Sequence, residues 1–115
     1  MRDHKELDVW KESVDLVTAV YALSKTLPSE ELYGLINQMC RSAVSVPSNI
    51  AEGAARLSKK EFAHFLYIAA GSLAELETQI IIAEKLTYLS DSAPLLLRVA
   101  AVRKMIHGLI RHCRT

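Results

Sequence analysis

The sequence predicts an all-α fold, an antiparallel up-down-up-down four-helix bundle whose second helix bends at Pro47. Three observations carry that prediction. Apolar residues recur at steps of three and four along four separate stretches, which is the spacing of a helix face. Glycine and proline are scarce while half of the 115 residues are apolar, so neither disorder nor a turn-rich β fold fits the composition. The stretches are joined by short turns, and short turns force antiparallel neighbours. A chain of this length has one core, so residues 1–115 are read as a single domain.

The first helix is expected from about Asp8 to Thr26 on the stripe Trp10, Val14, Val17 and Tyr21, flanked by Val9, Leu16, Val20 and Leu23. Pro28 ends it. The second carries Leu32, Ile36, Met39, Ala43, Val46 and Ile50, a rhythm that continues through Pro47. Ser58-Lys59-Lys60-Glu61 is a capping box that opens the third helix. Its stripe is Phe62, Leu66, Ala69, Leu73, Leu76, Ile80, Ala83 and Thr87, running to about Leu89. The fourth follows Asp91 or Ser92 as cap, takes Pro94 into its first turn, and steps through Leu95, Val99, Val102, Ile106, Leu109 and Cys113.

Pro47 removes one backbone hydrogen bond and crowds the carbonyl of Ala43, at about 3 kcal/mol in an ordinary helix. Unbroken apolar phase across it predicts a bend inside one long helix, with Ser45, Ser48 or water meeting the freed carbonyl. Gly53 allows another backbone or side chain to come close, and Asn49 and Glu52 share a face suited to backbone groups or a neighbouring subunit.

Little in the chain points to catalysis. Glu61 and His64 have the spacing of a di-metal bundle, but only one such pair exists and both lie off the apolar stripe. His4, His107 and His112 have no nucleophile arranged beside them, and Cys40 and Cys113 read as small apolar fillers. No phosphate loop or dinucleotide fingerprint occurs. The expectation is a protein that is no enzyme and holds no metal or cofactor. With no signal-like N-terminus and no apolar run of membrane-spanning length, the expected compartment is the cytoplasm and no membrane partner is expected.

Charge is unevenly placed although the net value is only +1. Residues 92–115 contain Arg98, Arg103, Lys104, Arg111 and Arg114 and no acid. On a wheel Arg103, Lys104, His107, Arg111 and Arg114 fall within roughly 100° opposite the stripe. This positive face, with Arg56, Lys59 and Lys60 of the second turn, is the candidate nucleic-acid surface. The plainer alternative is that these charges pair with the acidic first and third helices. No aromatic residue interleaves the cations, so base stacking is not indicated from sequence. The third helix is apolar beyond its stripe, at Phe65, Tyr67, Ile68, Ile81 and Ile82, and the first adds Trp10 and Tyr21; both are candidates for subunit contact.

The run from Cys40 to Gly53, CRSAVSVPSNIAEG, then SKKEF at Ser58 to Phe62 and FLYIAAGSLAELETQ at Phe65 to Gln79, closely resembles one bacterial family. That family is the four-helix-bundle proteins encoded by intervening sequences in 23S ribosomal RNA genes, and the likeness extends from about Val9 to Leu89. The resemblance implies a cytoplasmic bundle assembled as a homopentameric ring. It also implies kinship with accessory proteins of diversity-generating retroelements, which bind nucleic acid and a reverse transcriptase. Where the family is often basic this chain has Cys40 and His64, which thins any basic surface on the second and third helices. The expected function is a homo-oligomeric scaffold binding RNA or DNA; the alternative is a module that binds another protein and uses its charges for assembly.

Overall fold

Four long helices and no strand are found among residues 3–115, which the computed structural model describes. α1 is Asp8–Ser24, α2 Asn37–Ala54, α3 Lys59–Lys85 and α4 Ala93–Cys113. Each helix packs on the next along the chain, and α4 closes the set by packing on α1. The molecule measures 44 × 23 × 20 Å. At about 1.5 Å per residue the 27 residues of α3 reach about 40 Å, so this helix alone spans the long axis.

One continuous core fills the interior. From α3 it takes Leu66, Ala69, Leu73, Leu76, Ile80 and Ala83, and from α4 Leu95, Val99, Val102, Ile106 and Ile110. These match the expected stripes except at the end of α4, where Ile110 is buried and Leu109 and Cys113 are half-buried. In α1 the phase differs from the sequence reading. The buried row is Val9, Ser13, Leu16, Val20 and Ser24, whereas Trp10, Val14 and Val17 are half-buried and Tyr21 is 45% exposed. Two serines sit in the core because each hydroxyl donates to the carbonyl three residues back: Ser13 to Trp10 at 2.8 Å and Ser24 to Tyr21 at 2.7 Å. A polar group satisfied by its own helix costs little to bury.

The entry to α2 also departs from a simple stripe. Ser29–Glu31 form a 3-10 turn, and Leu32–Ile36 form a wide turn kinked at Gly34, whose φ −110° and ψ −109° are not helical, before α2 proper. The wider turn advances the phase, so Leu35 is buried and Leu32 is half exposed. Glu31 organises this segment. Its Oε1 accepts from the Leu35 amide at 3.2 Å, and a Cβ on Gly34 would lie 2.9 Å from the same oxygen. Its Oε2 accepts from the Tyr88 hydroxyl at 3.0 Å, tying the α1–α2 connection to the α3–α4 connection. That hydrogen bond, with burial and the charges of Glu31 and Glu30, raises the Tyr88 pKa above its ordinary 10.0. The neutral phenol is therefore the form the fold favours, and its contribution is present below about pH 10 and lost as pH rises through the raised value. Tyr88→Phe is expected to flatten the fall in melting temperature above about pH 10 relative to the parent protein.

α2 is helical on both sides of Pro47, which is buried, and Met39, Ala43, Val46 and Ile50 keep one buried face across it. The Ser45 hydroxyl does not serve the freed carbonyl. It lies 2.8 Å from the Ser72 hydroxyl of α3, and Asn49 Nδ2 donates both to it at 3.0 Å and to the Ser45 carbonyl at 2.8 Å. The polar residues around the proline thus tie α2 to α3.

Ser58 caps α3, its hydroxyl accepting from the Glu61 amide at 3.1 Å and donating to the Glu61 carboxylate at 3.3 Å. Ser92 is the N-cap of α4 and makes no side-chain capping bond; Asp91 just before it accepts from the Ala93 amide at 3.1 Å. α3 ends at Lys85, not near Leu89, and Thr87 is exposed instead of continuing the seam. The reason is a Schellman stop: the Tyr88 amide donates to the Ala83 carbonyl and the Thr87 amide to that of Glu84, both at 2.9 Å. Thr87 takes the left-handed position, φ 63°, usually filled by glycine. A β-branched residue there is strained by about 1–2 kcal/mol. Thr87→Gly is expected to raise stability by about 1 kcal/mol, read as a melting temperature a few degrees higher.

Candidate nucleic-acid interface

The second turn and the C-terminus of α4 meet at one end of the molecule. Leu7 before α1, Ala54 of α2, Leu57 and Ser58 of the turn, Lys59 and Phe62 of α3, and Leu109, His112 and Cys113 of α4 line one cavity of about 430 Å³. Two helices begin there and two end there, so their dipoles oppose and side-chain charge sets the local potential.

The candidate cations divide into two groups. Arg56 is held by Glu52 at 2.8 Å and stacks its guanidinium 4.9 Å from the centre of the Phe65 ring. Arg103 pairs with Glu77 of α3 at 2.9 Å. On α4, Arg103 therefore lies at the α3 edge of the basic face, where the expected pairing with an acidic neighbour is present. Lys59, Lys60, Arg98, Lys104, Arg111 and Arg114 are exposed, and among the described residues none of them has an ion-pair partner. Of these, Lys59, Lys60, Arg111 and Arg114 belong to the end that holds the cavity, whereas Arg98 and Lys104 lie along the body of α4.

Burial raises the Cys113 thiol pKa, an effect that the nearby charge of Lys59 partly opposes. The thiol stays protonated near neutral pH and is a poor nucleophile. Glu61 is engaged by the Ser58 cap and His64 packs edge-on to Phe65 at 5.4 Å, so that pair converges on nothing. Gly53 is the closest approach of α2 to α3: an added Cβ would lie 2.8 Å from Phe65 Cβ and 3.2 Å from the Phe62 carbonyl oxygen.

A second concave region lies between α2 and α3, about 360 Å³, lined by Asn37, Arg41, Ser45, Ser72, Glu75 and Gln79 among others. Gln79 Oε1 is buried with no hydrogen-bond donor among the described residues. Beside this region the outer face of α3 exposes Tyr67, Ile68, Ile81 and Ile82.

Sequence reasoning misses the cavity itself. A signal for it exists, because the second turn and the end of the fourth helix, which meet at this cavity, are both basic in the sequence.

The family model of the 23S rRNA-intervening sequence protein matches residues 5–108. The chain belongs to that family. No curated protein matches it. The match covers all of the first three helices and most of α4, so the cavity walls from Leu7 to Phe62 lie within the matched region, while Leu109, His112 and Cys113 lie beyond it. The family description gives a genomic location and no activity, so function has to be argued from the surface.

Proposed function

We propose that this 23S rRNA-intervening sequence protein is a non-enzymatic, cytoplasmic, homo-oligomeric scaffold that binds RNA or other nucleic acid through its basic end. In this reading the helices run up-down-up-down, α2 bends at Pro47, and a pentamer and kinship with retroelement accessory proteins follow from the family resemblance. The observation that carries the reading is that Lys59, Lys60, Arg111 and Arg114, all exposed and without an ion-pair partner among the described residues, lie on two separate elements at one end. Phosphate binding by such a cluster releases counterions, tolerates sequence, and weakens with salt. Arg56 and Arg103 contribute less, because each already has a carboxylate partner.

The protein-interaction alternative draws on a different observation, the use of Arg56 and Arg103 in ion pairs within the chain. Filter binding of a structured RNA at several salt concentrations separates the two. The expected result is binding at low salt, with a log–log salt slope that shrinks by roughly one for each phosphate left unneutralised by Lys60→Glu, Arg111→Glu and Arg114→Glu. No binding at low salt, or an unchanged slope in the triple variant, rejects the nucleic-acid reading in favour of the alternative.

A further inference from the structure

We infer that the cavity at the basic end receives an unpaired nucleobase, so that the nucleic acid this end takes is a single strand or carries an extruded nucleotide. This deepens the nucleic-acid reading and rests on it.

The cavity combines two features that a duplex cannot use together. Its wall is apolar, built from Leu7, Ala54, Leu57, Phe62 and Leu109, and its volume of about 430 Å³ lies in the usual range for small-molecule sites. Its lining includes one cation, Lys59, while Arg111 and Arg114 are exposed at the same end of the molecule, at the C-terminus of α4. A duplex offers these cations its phosphates but keeps its base faces stacked away from the cavity. A single strand offers a flat, weakly hydrated base with its own phosphates close by, which matches an apolar hollow that has Lys59 in its lining and further cations at the same end. Along the chain no aromatic residue interleaves the cations; folding brings Phe62 into the wall beside Lys59.

Leu57 supports the same occupant. It is 95% exposed at the lip of the cavity, an apolar surface that a base entering the cavity would cover. The polar groups at the cavity are few. The Ser58 hydroxyl is committed to the α3 cap, and the Cys113 thiol is a weak donor, leaving the His112 ring and the Lys59 ammonium to meet base edges. So few directional groups cannot read a base identity, and the cavity accepts all four bases with a preference set by stacking.

The test is a fluorescence titration of the full-length protein with an oligonucleotide carrying one 2-aminopurine, as a single strand and as a duplex of equal length at the same salt. The expected result is about tenfold or more tighter binding of the single strand, with a change in 2-aminopurine emission on binding only for that form. In a Cys40→Ser background the bound single strand also slows alkylation of Cys113. Leu57→Ser, at a position too exposed to affect folding, lowers single-strand affinity toward the duplex value. Equal affinity for both forms, with no emission change and no protection of Cys113, overturns the inference and leaves phosphate binding standing. Failure of both forms to bind at low salt removes the nucleic-acid reading itself.

Discussion

Gly53→Ala is expected to destabilise the protein by about 1–2 kcal/mol, although alanine is the better helix former. In a free helix the change would gain about 1 kcal/mol. Here the new methyl would lie 2.8 Å from Phe65 Cβ, 2.9 Å from Phe62 Cδ1 and 3.2 Å from the Phe62 carbonyl oxygen. A phenyl ring can turn aside, but a Cβ and a backbone oxygen move only with their helix, so α3 itself has to retreat from α2. Overpacking of this kind costs about 1–3 kcal/mol, and the retreat also loosens packing further along the pair. Gly71→Ala supplies the control, because that glycine is exposed in mid-α3 with nothing within 4 Å of the new methyl. It should gain about 0.5–1 kcal/mol. Thermal melts therefore give opposite signs: a fall of roughly 4–8 °C for Gly53→Ala and a rise of a few degrees for Gly71→Ala. A rise for both would mean that α2 and α3 do not meet as closely at Gly53 as described.

The contrast between these glycines also shows what the sequence can and cannot disclose. Both lie inside helical patterns, and only packing tells which one touches a neighbour. α3 is legible almost residue by residue because Leu66 to Ala83 form an unbroken apolar row. The apolar pattern puts α1 in the wrong phase because two of its buried positions are Ser13 and Ser24, whose hydroxyls are satisfied by carbonyls of the same helix. It misplaces the start of α2 because the backbone kinks at Gly34 and the repeat changes there, whereas a period-based reading assumes a constant one. The end of α3 escapes it because threonine, and not glycine, fills the left-handed stop position. For the site, residue type marks the cations, but their pairing is a tertiary property. Nothing local distinguishes Arg103, which meets Glu77, from Arg111, which meets no carboxylate among the described residues.

Tyr67→Lys combined with Ile81→Lys is expected to leave the protein monomeric, with a light-scattering mass near 12.8 kDa, where the proposed parent oligomer would give a multiple of that value. The outer face of α3 exposes Tyr67, Ile68, Ile81 and Ile82, and between Phe65 and Ala83 the only charged residues of the helix are Glu75 and Glu77. Apolar area of this kind contributes about 25 cal/mol per Å² once covered. In a closed homo-oligomer each substitution is repeated in every subunit, so two lysines per chain place unpaired charge at every interface. Both positions are already two-fifths to one-half exposed, so the monomer keeps its core. The consequence for binding is larger than for folding. A ring presents several basic ends to one long nucleic acid, and linked weak sites together bind about 10²-fold or more tighter than a single one. The double variant should therefore lose long-RNA affinity while its binding of a short oligonucleotide is unchanged. A parent protein that is itself monomeric at micromolar concentration refutes the assembly, and a monomeric variant with full long-RNA affinity refutes the gain from assembly.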